Sequence, residues 1–127
     1  MCLTVYIASD VPLPSVDTPN LVVRPIEERE RPVARHFSKP NIYSIGAYTG
    51  CACGFRPHGE DSEARGKTLS ELLQFLDAHA PDKQLEFFVS WVGREKDAAK
   101  FNLSFARSEL ADRTDWCEEQ TLVALAS

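Results

Sequence analysis

The chain has 127 residues, the length of one average domain, and 43% hydrophobic with 26% charged residues is a globular balance, not a disordered one. Its longest apolar runs, such as Leu122–Ala126, fall far short of the ~20 residues of a membrane span. The net charge of −5 is spread evenly, six Lys/Arg against eight Asp/Glu in residues 1–64 and eight against eleven in 65–127, so no basic face emerges and nucleic-acid binding is disfavoured.

The N-terminal stretch lacks the basic region of a secretion signal. A cytoplasmic location with reduced thiols at Cys2, Cys51, Cys53 and Cys117 is therefore the expectation. Cys2–Ser9 alternates Leu3, Val5 and Ile7 with Thr4, Tyr6 and Ala8, the period of a strand. Prolines at 12, 14 and 19 break regular structure before a short second strand at Leu21–Arg24. The Glu27–Arg31 run interleaves opposite charges between Pro25 and Pro32 and reads as a solvated loop or one exposed helical turn. Ile42–Ala47 is a third strand leading into Gly50-Cys51-Ala52-Cys53-Gly54. Arg56–Gly66 has no apolar periodicity and reads as a mobile loop.

Thr68 and Glu71 have capping-box spacing, and Leu69, Leu72, Leu73, Leu76 and Ala80 follow at helical period. This predicts one main helix over about 68–80, closed by Pro81. Leu85–Val92 alternates with apolar residues on both faces, as a central strand does. Phe101–Ala106 is a fifth strand, Ser108–Asp112 a short helix, and Leu122–Ala126 a final edge strand or short helix. No repeat or linker divides the chain, so residues 1–127 read as a single domain. The predicted class is α+β, a mixed or mostly antiparallel sheet of about five to six strands with the helix packed on one face.

The Gly-Cys-Ala-Cys-Gly segment is the one chemically unusual stretch. Glycine on each side permits a tight turn or a close approach of the backbone to a ligand. Ordinary packing of two small, weakly polar side chains competes there with chemistry. In an extended strand the two Cα atoms would be roughly 6.6 Å apart, at the upper edge of disulfide geometry, so a Cys51–Cys53 bridge would be strained and easily reduced. Arg56 and His58 could lower a thiol pKa there. Zinc needs four ligands; Cys51, Cys53 and His58 could supply three, with Cys2, Cys117 or His36 brought in by the fold. Cysteine nucleophilic catalysis would call on His58 with Glu60 or Asp61, and successive amides in the turn could hold an anion. Gly66-Lys67-Thr68 resembles only the tail of a phosphate-binding loop.

Elsewhere ordinary structural roles account for the residues. His36 reads as a solvated helix-end residue, His79 as a complement to the helix dipole, and Trp116 as a lid over the core. Phe88 and Trp91 cannot share a layer, so one of them could form an aromatic patch. The sequence favours a non-enzymatic interaction or ligand-binding module, with a protein partner or a homo-oligomer, over a thiol-redox or zinc protein centred on Cys51, Cys53, Arg56 and His58.

Overall fold

The computed structural model describes residues 3–56 and 62–127. The strands are β1 (Leu3–Ser9), β2 (Val16–Asp17), β3 (Val22–Pro25), β4 (Asn41–Gly46), β5 (Leu85–Trp91), β6 (Phe101–Ala106) and β7 (Thr121–Ala126), with one long helix, α1 (Ser62–His79). They form a single seven-stranded sheet in the order β2-β3-β4-β1-β5-β7-β6. Every pairing is antiparallel except β6 with β7, which is parallel. The α+β class is as the sequence predicts. The extra strand is the two-residue β2, too short to leave a periodic signal.

Alternation along the strands sorts the side chains onto two faces. Val5, Ile7, Val23, Ile45, Phe87, Val89, Val123 and Leu125 face α1, which lays Leu69, Leu72, Phe75 and Leu76 over them. Trp116 completes this layer, fully buried with ring centroids 5.7 Å from both Phe55 and Phe87. It belongs to the core rather than lying over it as a lid. The opposite face holds a smaller cluster of Tyr6, Val33 and Phe88 with Ile26, Phe37, Ile42 and Leu122. A 3₁₀ helix at Glu28–His36 covers it. β1 and β5 are thus buried on both sides, as the apolar second face of Leu85–Val92 implies.

Four local expectations are corrected. First, α1 is already under way by Ser62, so Thr68 is interior to it, as are Gly66 and Lys67. Thr68 Oγ1 instead donates to Asn20 O at 2.9 Å and accepts from the Tyr48 amide at 3.1 Å. Glu71 accepts from Thr18 Oγ1 and Asn20 Nδ2, both at 3.0 Å. The Thr-x-x-Glu spacing puts both residues on the face that meets the 18–21 turn, so tertiary partners replace the cap. Second, residues 62–66 of the predicted loop are helical; residues 57–61 lie outside the described ones. Third, the charged Glu27–Arg31 run is not solvated throughout, because Glu30 is 1% exposed. Fourth, Leu122–Ala126 lies within β7, an interior strand between β5 and β6 rather than an edge.

Candidate functional site

The end of the sheet where β1 and β3 begin and β4 and β5 finish carries a cavity of about 190 Å³. Antiparallel register builds its floor. Arg24 pairs with Ser44, Ser44 with Tyr6 and Tyr6 with Phe88, and side chains in one such row point to one face. The neighbouring positions on the same face are Val22, Gly46, Thr4 and Ser90. One face of this sheet end is therefore polar where the α1 face is apolar. Thr4, Ser44, Arg24, Arg29, Glu30 and Cys51 line the cavity, with Val92 at 45% exposure beside them.

Glu30 is the unusual member. Its Oε2 accepts from the buried Tyr6 hydroxyl at 2.8 Å, and its Oε1 accepts from the Glu27 amide at 2.8 Å. The tight 3₁₀ turn is what lets a carboxylate reach back three residues to that amide. Arg24 Nη1 stands 3.8 Å from Glu30 and 3.5 Å from Glu27, long for hydrogen bonds. Arg29 is held more firmly, with Nε 3.0 Å from Glu27 Oε2, and reaches toward Glu95 at 4.0 Å. Burial, the Glu30 hydrogen bond and the Glu30 and Glu95 charges all push the Tyr6 phenol well above the ordinary tyrosine range. Tyr6 is thus a neutral donor at any physiological pH.

The Gly-Cys-Ala-Cys-Gly segment forms one wall. Gly50 sits at φ +82°, where its amide bonds back to Ala47 O at 2.9 Å. Gly54 serves for close approach, since a Cβ there would meet Ala47 Cβ at 2.6 Å. Between them Ala47 N–H donates to Cys51 O at 3.0 Å, and Ala52–Phe55 makes a 3₁₀ turn that buries Phe55. The segment is thus both packed structure and pocket wall.

The residues singled out in the sequence are divided by this turn. Cys51 lines the cavity. Cys53 and Arg56 lie on the other side, near enough to Cys117 to act on its charge, and Arg56 Nη2 donates to Glu118 at 3.0 Å. Cys117 is buried against Ala52 O, and burial pushes its thiol up to about 12, which makes it a poor nucleophile. No disulfide links any two of Cys51, Cys53 and Cys117. Cys2, His58, Glu60 and Asp61 fall outside the described residues. Among the described residues no three His, Cys, Asp or Glu side chains are grouped to hold a metal ion.

His36 is half-buried and not simply solvated: its ring stacks on Phe88 at 4.0 Å, and its Nε2 lies 2.7 Å from Glu95 O. A carbonyl only accepts, so that nitrogen carries a proton. His79 closes α1 as expected, its ring 4.8 Å from Phe75. Trp91 turns to the α1 side, where its indole donates to Glu119, and Phe88 is fully buried on the other.

No family model, curated protein or solved structure matches this chain. The site is built on Arg29 and Glu30, which the sequence places in a charge run read as solvated, and on Arg24, which it places at the end of the second strand. The one local clue to a different fate is Tyr6, a phenol on the less apolar side of a strand that has apolar residues on both sides.

Proposed function

We propose that this domain is a binding module for a small molecule bearing a carboxylate or similar oxyanion, held in the cavity above Thr4 and Ser44. The observation that supports the reading is the pairing of a preformed polar floor with two guanidinium groups at its side. Arg24 and Arg29 have side chains 44% and 56% exposed, so both can meet a solute. Among the described residues Arg24 makes only long ion pairs, and it has donors to give to a bidentate oxyanion. The Ser44 and Thr4 hydroxyls can donate or accept beside it. Glu30, fixed by Tyr6 and Glu27, keeps the charges balanced and disfavours a large polyanion. About 190 Å³ is room for roughly six waters at ~30 Å³ each, which suits a ligand of metabolite-fragment size. Val22 and Val92, on the same face as Arg24 and Ser90, supply the apolar contact such a site needs.

The test is a thermal-shift and saturation-transfer NMR screen with small mono- and dicarboxylates and amino acids. A hit should raise the melting temperature of the natural protein and bind at least tenfold more weakly to Arg24→Met, with Arg29→Met also weakened. Absence of any binder at about 10 mM, or hits indifferent to both substitutions, would refute the proposal.

A further inference from the structure

We infer that the domain self-associates along the outer edge of β6, two copies pairing antiparallel about a two-fold axis at Leu103 to continue one sheet into the other. Among the described residues β6 pairs only with β7, in parallel register from Phe101 with Thr121 to Ala106 with Ala126. The Phe101 amide donates to Gln120 O at 3.2 Å. In a parallel ladder one residue turns both its N–H and C=O to the neighbour, and the next turns both away. Phe101, Leu103 and Phe105 therefore serve β7, while Asn102, Ser104 and Ala106 face outward. The outward Ala106 amide is taken by Glu109 Oε2 at 3.1 Å, which fits this assignment. Asn102 and Ser104 are left presenting donors and acceptors along the edge.

Exposed edges are normally blunted by proline, charge or shortness. The opposite edge is: β2 is two residues long, carries Asp17 and lies between Pro14 and Pro19. β6 has none of these devices. Its sequence Phe-Asn-Leu-Ser-Phe-Ala holds no charge and no proline, and Phe101 is 56% exposed. Shallow hollows flank it on both faces, about 450 Å³ beside Phe101 and Leu103 and about 270 Å³ beside Asn102, Ser104 and Leu122.

The occupant is a second copy because the strand is complementary to itself. Antiparallel pairing must join outward-facing residues to outward-facing residues. Setting Asn102 against Ser104 of the partner subunit does so over residues 101–105, and the two-fold axis repeats the pair with the roles exchanged. The same register sets Phe101 against the partner's Phe105 and Leu103 against the partner's Leu103, all on the α1 face. Phe101 would then extend the apolar layer to which Phe105 already belongs. Sliding by two residues either way loses the Phe101–Phe105 match and shortens the overlap.

The axis position supplies a sharp test, because residue 103 meets its own copy. Sedimentation equilibrium of the natural chain should show a mass rising from 14.2 kDa toward twice that value with concentration. Leu103→Lys and Leu103→Glu should each stay monomeric, since like charges then face one another across the axis. Mixed one to one, they should restore the dimer. Ser104→Pro, which removes an outward amide without touching the β7 ladder, should also be monomeric while keeping the native circular dichroism. A natural chain monomeric up to about 1 mM, where even a ~4 kcal/mol association would register, would overturn the inference. So would dimers that persist in Ser104→Pro, or folded charge variants that fail to recombine.

Discussion

The Tyr6–Glu30 contact gives the most direct test of how the polar face is built. Tyr6 is fully buried on the central strand, and its hydroxyl is the donor to one oxygen of a carboxylate that is itself 1% exposed. Tyr6→Phe removes that oxygen, and with it the smaller contact of the Thr4 side chain to the phenol. The other carboxylate oxygen keeps the Glu27 amide, so Glu30 stays anchored but loses half of its solvation. Hydrogen bonds to charged groups contribute ~1.5–3 kcal/mol, and a buried acceptor left unserved forfeits most of that. A loss of about 2 kcal/mol at pH 7 is expected. With an unfolding entropy of ~2.1 cal/mol/K per residue over the 127 residues, the melting temperature should fall by about 8 °C.

Urea titration measures the loss directly, with an unchanged m value showing that the unfolded reference has not moved. The same pair sets a pH signature. Burial first, then the Glu30 bond and charge, raise the folded Tyr6 pKa, while in the unfolded chain the phenol ionises near its ordinary value of about 10. Above that pH the unfolded state loses a proton the native state keeps, so stability falls as pH rises, by up to ~1.4 kcal/mol per pH unit. The gap between the natural protein and Tyr6→Phe should be constant from about pH 7 to 9 and narrow above about pH 10. A variant within ~0.5 kcal/mol of the natural protein, or a gap that stays flat into the alkaline range, would refute the reasoning.

Two further experiments probe the rest of the frame. Thr68→Val should cost about 1–3 kcal/mol, because both the Tyr48 amide and the Asn20 carbonyl lose a buried partner, while Thr68→Ser recovers most of the loss; chemical denaturation of the pair distinguishes this from helix propensity, which ranks serine close to threonine. In a Cys2→Ser background at pH 8, Cys117 should be the slowest of the three remaining thiols to alkylate, its rate tracking unfolding as urea rises. Burial is the cause, and modification of native Cys117 as fast as Cys51 would contradict it.

Periodicity made much of the fold readable from the chain. Residue-by-residue alternation in Cys2–Ser9, Ile42–Ala47, Leu85–Val92 and Phe101–Ala106 marks strands because each side of a pleat meets a different environment. The Leu69–Leu76 stripe marks the helix for the same reason at another period. Even the doubly apolar character of Leu85–Val92 correctly announces a strand buried on both faces. The glycines flanking Cys51 and Cys53 mark a place for a tight turn, which Gly50 makes in the left-handed region, whereas Gly54 serves contact with Ala47 inside the fold and not the approach of a ligand.

What the tertiary structure decided is the fate of residues whose signals are local but whose partners are remote. Thr68 and Glu71 have cap spacing, yet the helix begins earlier and both side chains reach the 18–21 turn. Glu30 sits in a run that looks solvated, yet Tyr6, 24 residues away, makes it a buried polar centre. Strand order does the rest. Thr4, Ser44 and Arg24 share one floor only because β3, β4 and β1 are neighbours, and Asn102 and Ser104 face outward only because β7 slots between β5 and β6. A sequence specifies which side of its own strand a residue occupies; the sheet's pairing specifies what stands opposite, and a binding site or an open edge is made of opposites.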